Sequence, residues 1–232
     1  MYDFNYLQLK TSNCKNCYKC IRNCSIKSIK FSGNQAHIIG NECILCGTCY
    51  VGCPQNAKQI RGDVGKVKTA IADGKKVVAS VAPSFAANFS GYTIKDLENA
   101  LSKLGFAYAE ETSRGAEAVK THYERILKEE TQDVLISSCC PTVNMLLQKY
   151  YPDVLPCLAP IASPMITHCK MKKDTTPDAY TVFIRPCISK KKEGDNSDGA
   201  VDAVLTFDEI CDWFREEGIK LEKSGEPVET NR

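Results

Sequence analysis

The chain lacks any apolar run approaching the length of a transmembrane helix. Its first ten residues, MYDFNYLQLK, lack the basic segment and apolar stretch of a secretory signal, so a cytoplasmic location is expected. Tryptophan occurs once and histidine three times. There is no Walker A loop, no GxGxxG after a strand and no Ser-His-Asp pattern, so nucleotide-dependent and serine-hydrolase chemistries have no footing. Neither sign of charge dominates: 30 Lys and Arg face 28 Asp and Glu. The basic residues form no continuous stripe, which speaks against a nucleic-acid partner.

Cysteine is present in excess, at 14 residues. In a chain of 232 residues without a signal, tightly grouped cysteines read as metal ligands or reactive thiols before disulfides. Eight of them form an internal repeat. Cys14-Lys-Asn-Cys17-Tyr-Lys-Cys20-Ile-Arg-Asn-Cys24 recurs 29 residues on as Cys43-Ile-Leu-Cys46-Gly-Thr-Cys49-Tyr-Val-Gly-Cys53-Pro54. Soft thiolates in the spacing C-x2-C-x2-C-x3-C match the 4Fe-4S run of bacterial two-cluster ferredoxins, in which the fourth cysteine reaches the other cube. Cluster one is therefore expected on Cys14, Cys17, Cys20 and Cys53, and cluster two on Cys43, Cys46, Cys49 and Cys24. Zinc or disulfides are the alternatives. The first motif departs from the pattern in ending Cys24-Ser25 instead of Cys-Pro.

Residues 1–62 carry eight Lys and Arg against Asp3 and Glu42, a formal +6. Two cubanes, each carrying roughly two negative charges when oxidised, would offset most of it. A basic face that docks an acidic redox protein, such as a ferredoxin or a reductase, is a second use for the same charge.

The expected fold class is α/β: a small ferredoxin-like α+β domain for two 4Fe-4S clusters (1–62), a Gly-containing linker (63–75), a parallel-sheet α/β domain (76–220) and a polar tail (221–232). Strands are expected at Lys76–Ala82, Phe106–Glu110, Asp133–Ser138, Tyr180–Arg185 and Ala203–Thr206. Helices between them are expected at Thr93–Leu104, Arg114–Glu130, Thr142–Tyr151, Pro164–Lys172 and Phe207–Glu217. Alternation of this kind argues for a parallel sheet covered on both faces, with ligands at the strands' carboxyl ends. Cys139 and Cys140 should end one strand and Cys187 another, and Lys190–Gly199 should be an exposed loop.

Ser138-Cys139-Cys140-Pro141 and Pro186-Cys187-Ile-Ser-Lys190-Lys-Lys-Glu193 resemble the first two signatures of iron-only hydrogenases, TSCCPxW and MPCxxKxE. The segment Val81-Ala82-Pro83-Ser84 is also similar to one of that family. The resemblance implies that Cys140 and Cys187 ligate a cubane of the hydrogen-activating cluster. It makes Cys139 a proton-relay thiol and Lys190 the partner of a cyanide ligand, and it places Pro83 and Ser84 against the di-iron unit. Plainer readings are a buried small residue for Cys139 and a solvated charge for Lys190. The third signature, ACxxGCxxGGG, has no counterpart; the only cysteine after Cys187 is Cys211. A third 4Fe-4S or di-iron cluster would then need a longer chain. Val143 stands for the motif tryptophan, Arg185 for the methionine, and His122 and Tyr123 where catalytic members carry a relay glutamate. These departures resemble the divergent, sensory branch. Electron transfer to a hydrogenase-like site, redox or hydrogen sensing, and plain electron carriage are the three functions this pattern allows. Cys157, Cys169 and Cys211 read as inert thiols, and the three histidines as ordinary.

Overall fold

The apolar runs become strands, and the amphipathic stretches between them become helices. The structure is a computed structural model, and it describes residues 6–129 and 133–225. In chain order the elements are β1 (Leu7–Leu9), α1 (Lys19–Asn23), β2 (Ile29–Ser32), β3 (Gln35–Ile38), α2 (Thr48–Val51), β4 (Lys58–Ile60), α3 (Val64–Ala72), β5 (Val77–Val81), α4 (Phe85–Asn88), α5 (Ile94–Lys103), β6 (Tyr108–Glu111), α6 (Ser113–Glu129), α7 (Pro141–Tyr150), α8 (Pro164–Thr175), β7 (Tyr180–Ile184), α9 (Ser189–Asp195), β8 (Ala203–Leu205) and α10 (Phe207–Glu216). The class is α/β, as expected. Among the described residues no helix is long and apolar enough to cross a membrane. Residues 1–5 and 226–232, at the ends of the expected domains, lie outside the described residues.

The chain divides into two units. The first takes the described residues up to Arg61 with Pro141–Pro156 and Cys187–Lys192. The second takes Gly62–Cys140, Cys157–Pro186 and the described residues from Glu193 on.

In the first unit, β1 pairs antiparallel with β4, and β2 with β3. The sequence repeat is also a backbone repeat. Left-handed residues fall at Asn16, Tyr18 and Lys27, and again 29 positions on at Leu45, Gly47 and Asn56. A side-chain-bearing residue held there costs roughly 1–2 kcal/mol, so the surrounding structure must enforce it. Turns of this kind aim successive N–H groups into one concavity, a device suited to anionic groups. The unit's apolar core is small. Leu7, Ile29, Ala36, Ile44 and Leu45 meet Met145 and Leu146 of α7, together with Ile188.

The second unit is built on a four-stranded parallel sheet in the order β6-β5-β7-β8. Period-two alternation splits its side chains. Val77, Ala79, Val81, Val182, Ile184 and Leu205 meet α3, α5 and α10 through Val67, Leu97, Leu101, Ile210, Trp213 and Phe214. Phe183 and Val204 meet Met165 and Cys169 of α8 on the opposite face. Both faces are covered, which explains why these strands read as continuous apolar runs. Capping boxes start α5 (Thr93 with Asp96) and α10 (Thr206 with Glu209). Gly115 lets α6 cross α8: a Cβ there would stand 2.5 Å from the Pro164 carbonyl oxygen.

Three expectations are corrected. Asp133–Ser138 is not a strand; only Ile136 makes a single bridge, to Leu158. The Ser138 N–H, which a ladder would need, instead donates to Tyr123 Oη at 3.0 Å. Cys139 and Cys140 consequently end no strand. Lys190–Gly199 is not an exposed loop, because α9 covers its first part and Lys190 and Lys191 are buried. Residues 64–72, read as connector from their glycines, form α3, whose Val67 and Ala70 pack into the sheet's core.

Candidate functional site

The eight repeat cysteines gather in two groups of four. Cys14, Cys17, Cys20 and Cys53 line one small cavity, with Tyr18, Pro54, Ala57 and Lys58. Cys24, Cys43, Cys46 and Cys49 line a second, with Leu7, Ser28, Ile44 and Gly47. In each group the fourth thiol comes from the other motif. The crossing follows from the repeat. A short helix that contains the third cysteine, α1 or α2, carries the chain past its own cavity and delivers the fourth cysteine to the neighbouring one.

All 14 cysteines are free thiols, so the disulfide alternative does not describe this fold. Burial raises the Cys20 and Cys43 thiols above their ordinary range and pushes Cys49 up to about 12. Burial therefore disfavours the thiolate at these three positions unless a soft cation compensates it. Some sulfurs already accept hydrogen bonds. The Leu45 N–H donates to Cys43 Sγ at 3.4 Å and the Ala57 N–H to Cys53 Sγ at 3.3 Å, while the Ser28 hydroxyl lies 3.5 Å from Cys24 Sγ. Among the described residues no three Cys, His, Asp or Glu side chains are grouped so as to hold a single metal ion. The thiols surround space instead of meeting at a point. A soft donor set around a cavity, with N–H groups on sulfur, fits a cluster.

The second cavity is roofed by segments distant in sequence. Lys149 Nζ of α7 donates to the Cys43 carbonyl at 2.8 Å, and Tyr150 Oη to the Glu42 carbonyl at 2.8 Å. Gly47, left-handed at φ +81°, faces Ile188: a Cβ at Gly47 would lie 3.3 Å from Ile188 Cδ1. Ile188 adjoins Cys187, whose thiol lies 3.0 Å from the Ser189 hydroxyl. Both Cys187 and Lys190 therefore belong to the first unit. Lys190, 1% exposed on α9, is no solvated loop charge.

Cys139 and Cys140 belong to the second unit, immediately before α7 begins at Pro141. Cys139 is exposed, against the plainer reading of a buried small residue. Its thiol lies 3.2 Å from the Ser137 hydroxyl, which accepts from Tyr123 Oη at 3.4 Å. The Ser138 hydroxyl donates to the Ile161 carbonyl at 2.7 Å. Pro83 and Ser84 are exposed in the turn just past the carboxyl end of β5, the edge where parallel sheets bind ligands. His122 is exposed on α6, and Tyr123 beside it does the hydrogen bonding.

The comparison that decides the family covers most of the second unit. Residues 75–231 match the model for the iron-only hydrogenase large subunit, C-terminal domain. The chain belongs to the iron-only hydrogenase family. Among curated relatives, the periplasmic [Fe] hydrogenase large subunit of Nitratidesulfovibrio vulgaris is 29% identical, over 94% of this chain and 60% of its own length. Iron hydrogenase 1 of Clostridium pasteurianum is 28% identical over 94% of this chain and 45% of its own. The cytosolic Fe-S cluster assembly factor NAR1 of Eremothecium gossypii is 28% identical, over 71% and 40%. The chain thus spans about half the length of the relatives it matches. As a member of this family it is a hydrogenase-related iron–sulfur protein.

Two features of the family member escaped sequence reading. His168, taken as ordinary, is buried with its Nδ1 2.8 Å from the Ser80 hydroxyl and its Nε2 3.4 Å from Glu110. Burial brings its pKa down to about 4. The signal was its place in the buried stripe of α8 formed by Met165, Cys169 and Lys172. The other is Lys58, a buried cation among the cysteines.

Proposed function

We propose that this chain relays electrons through two 4Fe-4S clusters toward a hydrogenase-like site. Cys14, Cys17, Cys20 and Cys53 would hold cluster one, and Cys43, Cys46, Cys49 and Cys24 cluster two. The observation that carries the reading is the pair of cavities, each walled by four thiols with the fourth exchanged between motifs. Such clusters, when bound, store and release single electrons. The protein's residues supply soft ligands, hydrogen bonds to sulfur and graded access to solvent. Cys17 and the neighbouring Lys15 and Lys19 are exposed, which suits exchange with an acidic partner such as a ferredoxin or reductase. Gly47 against Ile188 brings the cluster-two loop to the segment bearing Cys187.

Cys140 and Cys187 are proposed as ligands of a third cluster completed by residues this stretch does not supply. Cys139 is proposed as the thiol that hands protons on, with Lys190, Pro83 and Ser84 against the same group. Two of four expected ligands are in hand, and the bridging one is not. Residues 1–232 expressed with cluster-maturation machinery should therefore carry out no hydrogen turnover; robust hydrogen uptake would refute this. A cytoplasmic setting, where thiols stay reduced, belongs to the proposal. A sensing role is favoured over rapid turnover by Val143 and Arg185 at the two motif positions. It is tested by whether a partner's activity follows the redox state of the clusters.

A further inference from the structure

The repeat that pairs Cys24 with Cys53 also pairs Ile29 with Lys58, each the first residue of the strand that follows. Ile29 behaves as the fold requires, being buried in the unit's apolar core. Lys58 is as deeply buried, at 4% exposure, yet carries an ammonium. Its Nζ donates to the Ala36 carbonyl at 3.3 Å, and among the described residues no carboxylate pairs with it. A buried charge served by one carbonyl is costly unless opposite charge lies close by. Lys58 lines the first cavity beside Cys14, Cys17, Cys20 and Cys53.

We propose that Lys58 is an internal counter-cation that stabilises the reduced state of the cluster in the first cavity and raises its reduction potential. The inference rests on the two-cluster reading above. When one electron arrives from a low-potential donor, the negative charge in the cavity grows by one, and no bond is made or broken. A fixed cation nearby favours that added charge, most strongly where water is excluded.

The test is an anaerobic, EPR-monitored redox titration with dithionite of the full chain and of Lys58→Met, Lys58→Gln and Lys58→Arg, with iron and sulfide assayed in each. Met is expected to keep the iron and to weaken reduction of cluster one at least tenfold, about 59 mV for a one-electron couple. Gln should do the same, and Arg should stay within threefold of the parent. Loss of iron from Met and Gln with retention in Arg would also support the role of charge. An unchanged cluster-one potential in iron-replete Met and Gln proteins would overturn the inference, as would a shift confined to cluster two. Loss of iron from all three variants would make Lys58 a packing residue and overturn it too. A parent chain without clusters would instead refute the two-cluster reading itself.

Discussion

The two cysteine motifs share spacing and backbone but not surroundings. Around the first cavity, Cys17 is exposed and Cys14, Cys20 and Cys53 are half-buried. Around the second, Cys24, Cys43 and Cys49 are buried and only Cys46 is exposed. The difference does not come from the motifs. It comes from α7 and from Cys187–Lys192, which pack on the second copy and have no equivalent on the first. Two copies of one ligand pattern thus become an outer site facing solvent and an inner one adjoining the hydrogenase-like segment. In the proposed relay, that asymmetry would set the direction of electron flow.

The most severe break in the comparison is the exchange of fourth ligands. Cys24→Ser lies in the first motif but should empty the second cavity, and Cys53→Ser the reverse. Each should lower iron from about eight toward about four per chain, with the surviving EPR signal differing between the two variants. Loss from the cavity nearest in sequence would show that each motif serves its own cluster.

Access should differ as well. Gly47 and Tyr18 occupy equivalent left-handed positions, but Gly47 also faces Ile188. Gly47→Ala should destabilise the fold by ~1–2 kcal/mol from backbone strain alone, with the Ile188 contact adding to it. At Tyr18 the effects oppose one another. Glycine would relieve ~1–2 kcal/mol of strain. It would also forfeit ~0.5–1.5 kcal/mol of the contact with Phe31, whose ring lies 4.9 Å away. Glycine's greater chain entropy takes a further ~0.5–1 kcal/mol. Tyr18→Gly should therefore be close to neutral in urea denaturation. Equal losses at both positions would erase the contrast between the outer and inner copies.

A third contrast sets the cysteine repeat against the sheet unit, whose acid response should come from His168. Its folded pKa of about 4 lies below the ordinary 6.5. As pH falls below 6.5 the unfolded chain takes up a proton that the folded one refuses. Stability is therefore full above that point and declines toward pH 4, by up to ~3 kcal/mol. Trp213, the sole tryptophan and buried in this unit's core, gives a fluorescence readout separate from cluster absorbance. His168→Gln should flatten the pH dependence; an unaltered slope would assign it to other groups.

Much of this was legible in sequence because local pattern and tertiary outcome agree. Val77–Val81 and Tyr180–Ile184 are apolar because helices cover both faces of their sheet, and the cysteine spacing already implied the exchange of thiols between the two cavities. Legibility failed where a distant partner decided. Nothing near α7 says that Met145 will pack with Leu45. The polar run Ser189–Asp195 hides two buried lysines. Tyr123 takes a backbone donor that the expected strand Asp133–Ser138 would have needed. Gly62, Gly65 and Gly74 suggested a connector, and they outweighed the Val64, Val67 and Ile71 spacing of a packed helix. Lys58 was concealed by its own chemistry, since a lysine among cysteines reads as surface charge.

The most direct measurement is anaerobic iron and sulfide quantification of the reconstituted full chain, with EPR of the dithionite-reduced protein. Two clusters in the two cavities predict about eight iron and eight sulfide per chain and the interacting signals of paired reduced cubanes. A chain with about four iron or fewer, or with zinc in place of iron and sulfide, would contradict the account.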